Sequence, residues 1–141
     1  MSKNDDLLLA ALSTYGEREK AGPERNSYIG GIIDRWFRKG AGDNETAWCA
    51  IWMSEIAAQC GFTPPAFPFR AKSWDDVGHE VLTPEPGTVA VLKRGRGRYH
   101  VALVVREADD GTLWCIGGNQ NNAVSIQGYR ASDVYSLRRL G

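Results

Sequence analysis

Residues 47–60 read AWCAIWMSEIAAQC. Cys49, Trp52, Met53, Ile56 and Cys60 fall at spacings of three and four, which predicts a helix with one apolar face. Thr46 or Asn44 can cap it, and Gly61 follows as a stop. The helix therefore opens on a thiol. Upstream, residues 4–15 (NDDLLLAALSTY) predict another helix, capped by Asn4 or Asp5 and stopped by Gly16. A polar loop follows at 17–26. Residues 27–39 (SYIGGIIDRWFRK) predict a helix capped by Ser27 and ended by Gly40, with Gly30 and Gly31 weakening it.

Downstream the pattern changes. The three prolines of FTPPAFPF (62–69) exclude a helix or a central strand. Residues 71–77 read as one short helical turn. TVAVLK (88–93) and YHVALVVR (99–106) are β-branched runs joined by RGRGR, as in a hairpin. TLWCIGG (112–118), AVSIQGY (123–129) and VYSLRR (134–139) are three more strand candidates. Helices first and an antiparallel meander second argue an α+β fold, with N-terminal helices packed on one side of a C-terminal antiparallel β-sheet.

The chain has 141 residues, 43% hydrophobic and 24% charged, with zero formal net charge. One domain spanning 1–141 is expected, long enough to build a core without staples. Zero net charge offers no field toward nucleic acid or an anionic membrane. No apolar run reaches the length of a membrane span. MSKNDDLLLAAL has acids directly before a short apolar run and does not read as a signal peptide. Synthesis in the cytoplasm is expected, with export needing a helper. The soft ligands are three cysteines (Cys49, Cys60, Cys115) and two histidines (His79, His100). They are scattered and contain no CxxC pair, so neither a metal site nor a disulfide framework is expected.

A helix N-terminus offers unpaired N–H groups and partial positive charge, which favour a thiolate and can bind an oxyanion. That is a reason to place Cys49 in a first turn. A buried thiol on an apolar helix face is as common a reading for the residue alone. Cys60 and Cys115 read as packing residues. A nucleophile needs a base. His100 opens a strand beside a loop, where side chains project from a rigid frame; His79 lies in a solvated stretch. If 99–106 and 112–118 form a hairpin, Asn119 lies near His100, where its amide oxygen can orient the imidazole. By composition alone, GGNQNN (117–122) is a turn.

Together, the AWC that opens a helix, the RAKSW segment, the PEPGTVAVLKRG run into a strand with HV, and the closing GGNQNNAV resemble the CHAP (cysteine, histidine-dependent amidohydrolase/peptidase) and NlpC-type papain-like cell-wall hydrolases of bacteria and phages. The resemblance runs from about Leu8 to Arg139. It implies a papain-like fold and cleavage of a peptidoglycan amide without a cofactor. It implies Cys49 as nucleophile, His100 as general base and acid, and Asn119 as orienting residue. Trp48, Ser73, Trp74 and Gln120 match positions near the cleft and stand as candidate substrate contacts. Such relatives commonly have glycines where this chain has Tyr99 and Ala102, and an acidic calcium-binding loop is not evident here.

The mechanism expected is attack by a thiolate paired with imidazolium, through a thioester. The bond is open: MurNAc–L-Ala, γ-D-Glu–diaminopimelate or the cross-bridge. A phage endolysin, a tail-associated lysin or an injected effector each fit, with a holin, a tail component or an immunity protein as partner. The competing readings are a protease or deamidase toxin acting on a protein, and a non-catalytic wall-binding module. RGRGR as a nucleic-acid patch has little support from the net charge.

Overall fold

The computed structural model describes residues 2–21 and 23–141. Gly22, in the expected polar loop, and Met1, in the N-terminal stretch read above, lie outside the described residues. Three α-helices come first: α1 (Lys3–Leu12), α2 (Ser27–Trp36) and α3 (Cys49–Gln59). A 3-10 turn at Ala71–Asp76 stands where the short helical turn was expected. Six strands follow among the described residues: β1 (His79–Glu80), β2 (Val89–Lys93), β3 (Tyr99–Glu107), β4 (Leu113–Gln120), β5 (Ala123–Tyr129) and β6 (Val134–Arg139). The arrangement is α+β, with the helices packed against the antiparallel sheet.

The strand order is β1-β6-β2-β3-β4-β5. The expected meander holds from β2 to β5. It fails at β6, which returns to pair with β2. The stretch around His79, expected to be solvated, is exposed but ordered as an edge, with His79 opposite Arg139. The polar loop also touches the sheet: Arg18 bridges to Ala123 at the start of β5.

The helix starts differ in detail from expectation. Ser2 caps α1 in a reciprocal pair with Asp5, because a hydroxyl one residue before the helix reaches the N–H three residues on. Asn26, not Ser27, caps α2 through the Ile29 N–H at 2.9 Å. Neither Thr46 nor Asn44 caps α3. The Thr46 hydroxyl donates instead to Gly42 O at 2.7 Å, and the N-cap position falls to Trp48, which makes no side-chain cap.

The larger correction concerns α3. Every residue from Cys49 to Ala57 is buried, not one face alone. The two polar residues in that run are satisfied, as buried polar groups must be. Ser54 Oγ donates to Pro68 O at 2.8 Å, and Glu55 accepts from Arg35, Trp36 Nε1 and Gln59. The helix lies between α1 and α2 on one side and β3 and β4 on the other. Val89, Val91, Val101, Leu103 and Ile116 face it from the sheet. The opposite sheet face is also apolar: Ala90, Leu92, Ala102, Val104, Leu113, Cys115 and Leu137 form a second cluster. Cys115 packs there, its thiol pushed up to about 12 by burial. Cys60 is half-buried at the end of α3. Among the described residues no helix is long and apolar enough to cross a membrane.

Helix and sheet approach tightly at Gly118. A Cβ there would lie 2.7 Å from Trp52 Cβ and 2.8 Å from the Trp48 ring. Both indoles are fully buried and pinned by hydrogen bonds, Trp48 Nε1 to Glu19 at 2.7 Å and Trp52 Nε1 to Thr14 at 2.9 Å. They cannot yield cheaply. Gly118→Ala is therefore expected to cost about 1–3 kcal/mol of stability by overpacking. Urea unfolding measures this; a loss below about 0.5 kcal/mol, the scale of an ordinary surface change, would contradict the packing described.

Candidate active site

Cys49 is the first residue of α3, so its own N–H and those of Ala50 and Ile51 precede the first intrahelical bond, from Trp52 N to Trp48 O at 2.9 Å. The absence of a side-chain cap leaves these donors for another acceptor. The backbone N–H groups of Val101, Ala50 and Cys49 favour the charged sulfur, but burial outweighs them and pushes the thiol up.

Val101 follows His100 on β3, so the hairpin brings the backbone beside His100 to the start of α3. His100 is fully buried. Its Nε2 lies 3.0 Å from Gln120 Oε1. The identity of that oxygen follows from the rest of the amide: Gln120 Nε2 donates to Ser125 O at 2.6 Å and to Cys115 O at 3.3 Å. The Tyr129 hydroxyl donates to the same Oε1 at 2.7 Å. An amide oxygen only accepts, so the imidazole carries its proton on Nε2. In the neutral ring Nδ1 is then the free base. It is buried without a hydrogen-bond partner.

The bond expected from Asn119 is thus made by Gln120, a candidate substrate contact by its motif position. The reason lies in the backbone. Continued regularly, the pairing of Leu103 with Ile116 would set Asn119 across from His100. The β4–β5 register instead slips between Gly117 and Gln120, and Asn119 takes a left-handed conformation, φ 58°. Such a bulge reassigns which side chain points inward. Asn119 lines the outer cavity with Cys49, and Gln120 turns into the core. Gly117 makes room for it, since a Cβ there would come 2.7 Å from Gln120 Oε1. Gly-Gly before an Asn able to adopt the left-handed region was the signal for this inward glutamine.

The other candidate contacts lie elsewhere. Trp48 and Trp74 are fully buried and offer no surface to a ligand. The Ser73 hydroxyl bonds to Phe67 O and Arg70 O and borders a separate cavity. The Cys49 cavity, about 590 Å³, is lined by Ala47, Cys49, Arg94, Arg98, Tyr99 and Asn119. Among the described residues no group of three or more His, Cys, Asp or Glu is placed to hold a metal ion.

A resting thiolate–imidazolium pair is not favoured. Burial raises the thiol and pulls His100 down to about 4; the Gln120 bond opposes that shift, and the Arg94 charge adds to it. Both groups rest neutral near pH 7. The unfolded imidazole titrates near 6.5, so the unfolded chain binds the extra proton first. Stability from the neutral imidazole is complete above about pH 6.5 and is lost as pH falls toward about 4, by at most about 1.4 kcal/mol per pH unit. NMR titration should find His100 neutral and Nε2-protonated from pH 7 to pH 5. A midpoint near 6.5 would contradict this environment.

The family model described as "CHAP domain" matches residues 41–119, more than half of the chain, from the loop before α3 to the bulge in β4. No curated protein matches the chain. CHAP domains are generally cysteine- and histidine-dependent amidohydrolases or peptidases with peptidoglycan as substrate. With a cysteine at the head of α3 and a histidine entering β3, the chain belongs to the CHAP domain family, a family of peptidoglycan amidase/peptidase-type hydrolases.

Proposed function

We propose that this protein cleaves an amide of the peptidoglycan peptide with Cys49 as nucleophile, His100 as general base and acid, and Gln120 as the residue that orients the imidazole. The observation that carries the reading is the buried His100 ring, held through Nε2 by Gln120 with Nδ1 unpartnered, on the residue just before Val101, whose backbone N–H favours the charged Cys49 sulfur.

Because both groups rest neutral, the proton moves as the bond forms. The Cys49 thiol gives its proton to His100 Nδ1 while the sulfur attacks the amide carbonyl carbon. The carbonyl oxygen gains the electron pair and is held by the free N–H groups that open α3. Collapse of this adduct breaks the C–N bond. The imidazolium returns its proton to the departing amine, leaving a thioester on Cys49. Water then attacks the thioester, giving a proton to His100 Nδ1, and the carboxylic acid leaves as the thiol re-forms. Throughout, Gln120 Oε1 accepts from Nε2–H, and that bond strengthens when the ring is charged.

Purified sacculi supply the test. The wild type should release soluble muropeptides, and Cys49→Ala should reduce the rate by at least about 10³-fold. Iodoacetamide should inactivate the wild type, with carboxymethylation mapped to Cys49. Digestion that survives Cys49→Ala would refute the thiol mechanism.

A further inference from the structure

The RGRGR turn between β2 and β3 sits beside the reactive thiol. Arg94 N donates to Arg98 O at 2.8 Å, closing the hairpin and setting the two residues opposite each other. Gly95 and Gly97 take positive φ, 105° and 69°, which lets the turn close so tightly. Arg94 and Arg98 line the Cys49 cavity, whereas Arg96, at the tip, does not. Among the described residues the ion pairs use Arg25, Arg35, Arg130 and Arg139; neither cavity arginine has a carboxylate within reach.

The positive margin continues past Tyr99 into an adjoining cavity lined by Arg70, Ala71, Lys72, Gly97 and Tyr99. No acid lines either space. The cavity on the other side of Ala47 differs, with Glu45 as well as Arg38 in its wall. The charge asymmetry is thus specific to one side of the thiol. The Arg94 charge also reaches inward, acting on Cys49, His100 and Tyr129.

We infer that Arg94 and Arg98 form a carboxylate-binding subsite, so that the preferred scissile amide has a free carboxylate close beside it. The inference rests on the hydrolase reading above and narrows its substrate. Two guanidinium groups across a cavity suit a carboxylate through paired, charge-assisted hydrogen bonds. Of the open bonds, two fit: in γ-D-Glu–diaminopimelate the γ-linked glutamate keeps its α-carboxylate free on the residue that supplies the scissile carbonyl, and in a direct cross-link the diaminopimelate centre that supplies the amine keeps its own carboxylate. The MurNAc–L-Ala bond has no free carboxylate on either adjoining unit.

The test uses sacculi stripped of phosphate-containing polymers, half of them with stem-peptide carboxylates converted to primary amides by carbodiimide and ammonia. The wild type should digest the carboxylate form about tenfold faster in kcat/KM than the amidated form, the scale of a hydrogen bond to a charged group. Arg94→Gln and Arg98→Gln should each shrink that ratio, and the double substitution should bring it within about twofold. Arg96→Gln, which removes the same charge from the same turn, should preserve the ratio. Product masses should place cleavage at an amide with an adjacent free carboxylate, the γ-D-Glu–diaminopimelate bond or the diaminopimelate cross-link. Equal wild-type rates on the two forms, an unchanged ratio in the double variant, or cleavage at MurNAc–L-Ala would each overturn the subsite while leaving the hydrolase standing. Failure of the wild type to digest either form would instead overturn the hydrolase reading, and this inference with it.

Discussion

Burial of the start of α3 against β4 is the constraint on which the rest of the structure depends. Gly118 admits Trp48 and Trp52 to the sheet surface, and their indole N–H groups are tied to Glu19 and Thr14. That contact fixes where Cys49 stands relative to β3. It also explains why the helix is apolar on every side through Ala57: it is the central element between two helices and a sheet, and only a satisfied Ser54 and Glu55 interrupt it.

The reactivity proposed for Cys49 follows from what is left unsatisfied. Buried polar groups in a folded protein are almost always paired. Here the helix that opens on Cys49 lacks a side-chain cap, and the imidazole of the residue before Val101, whose backbone N–H favours the charged Cys49 sulfur, keeps one nitrogen unpartnered. Gln120 is the opposite case, with its amide fully engaged by His100, Tyr129, Ser125 and Cys115. A rigid amide holding one tautomer, beside groups kept free, is the arrangement that proton transfer needs. Low dielectric keeps thiol and imidazole neutral at rest, and in the proposed mechanism a substrate carbonyl takes the charge.

Much of this was legible in the residues. The three helices, the five main strands and the thiol at a helix start all follow from periodicity and stop signals. What escaped was of four kinds. Capping went to neighbours, Ser2 and Asn26, because a one-residue shift at a helix start costs little and several polar residues compete. The exchange of Asn119 for Gln120 came from a bulge. Alternation along a strand predicts facing only while the register is regular, and a left-handed residue breaks it. The return of β6 to the edge of β2 is a tertiary choice that no local pattern encodes. Trp48 and Trp74, candidates for the cleft by their motif positions, are fully buried, the environment in which large aromatics contribute most.

The central claim is that Gln120, not Asn119, holds the imidazole in its working tautomer. The most direct measurement compares Gln120→Leu with Asn119→Ala in sacculus digestion, with the His100 tautomer read by nitrogen NMR at pH 7. The account predicts that Gln120→Leu lowers kcat by about 10²-fold and mixes the Nε2–H and Nδ1–H forms. Asn119→Ala should keep the pure Nε2–H form and lose less than about tenfold, a smaller loss than misplacing the base. The reverse ranking, with the tautomer intact in Gln120→Leu and disturbed in Asn119→Ala, would contradict it.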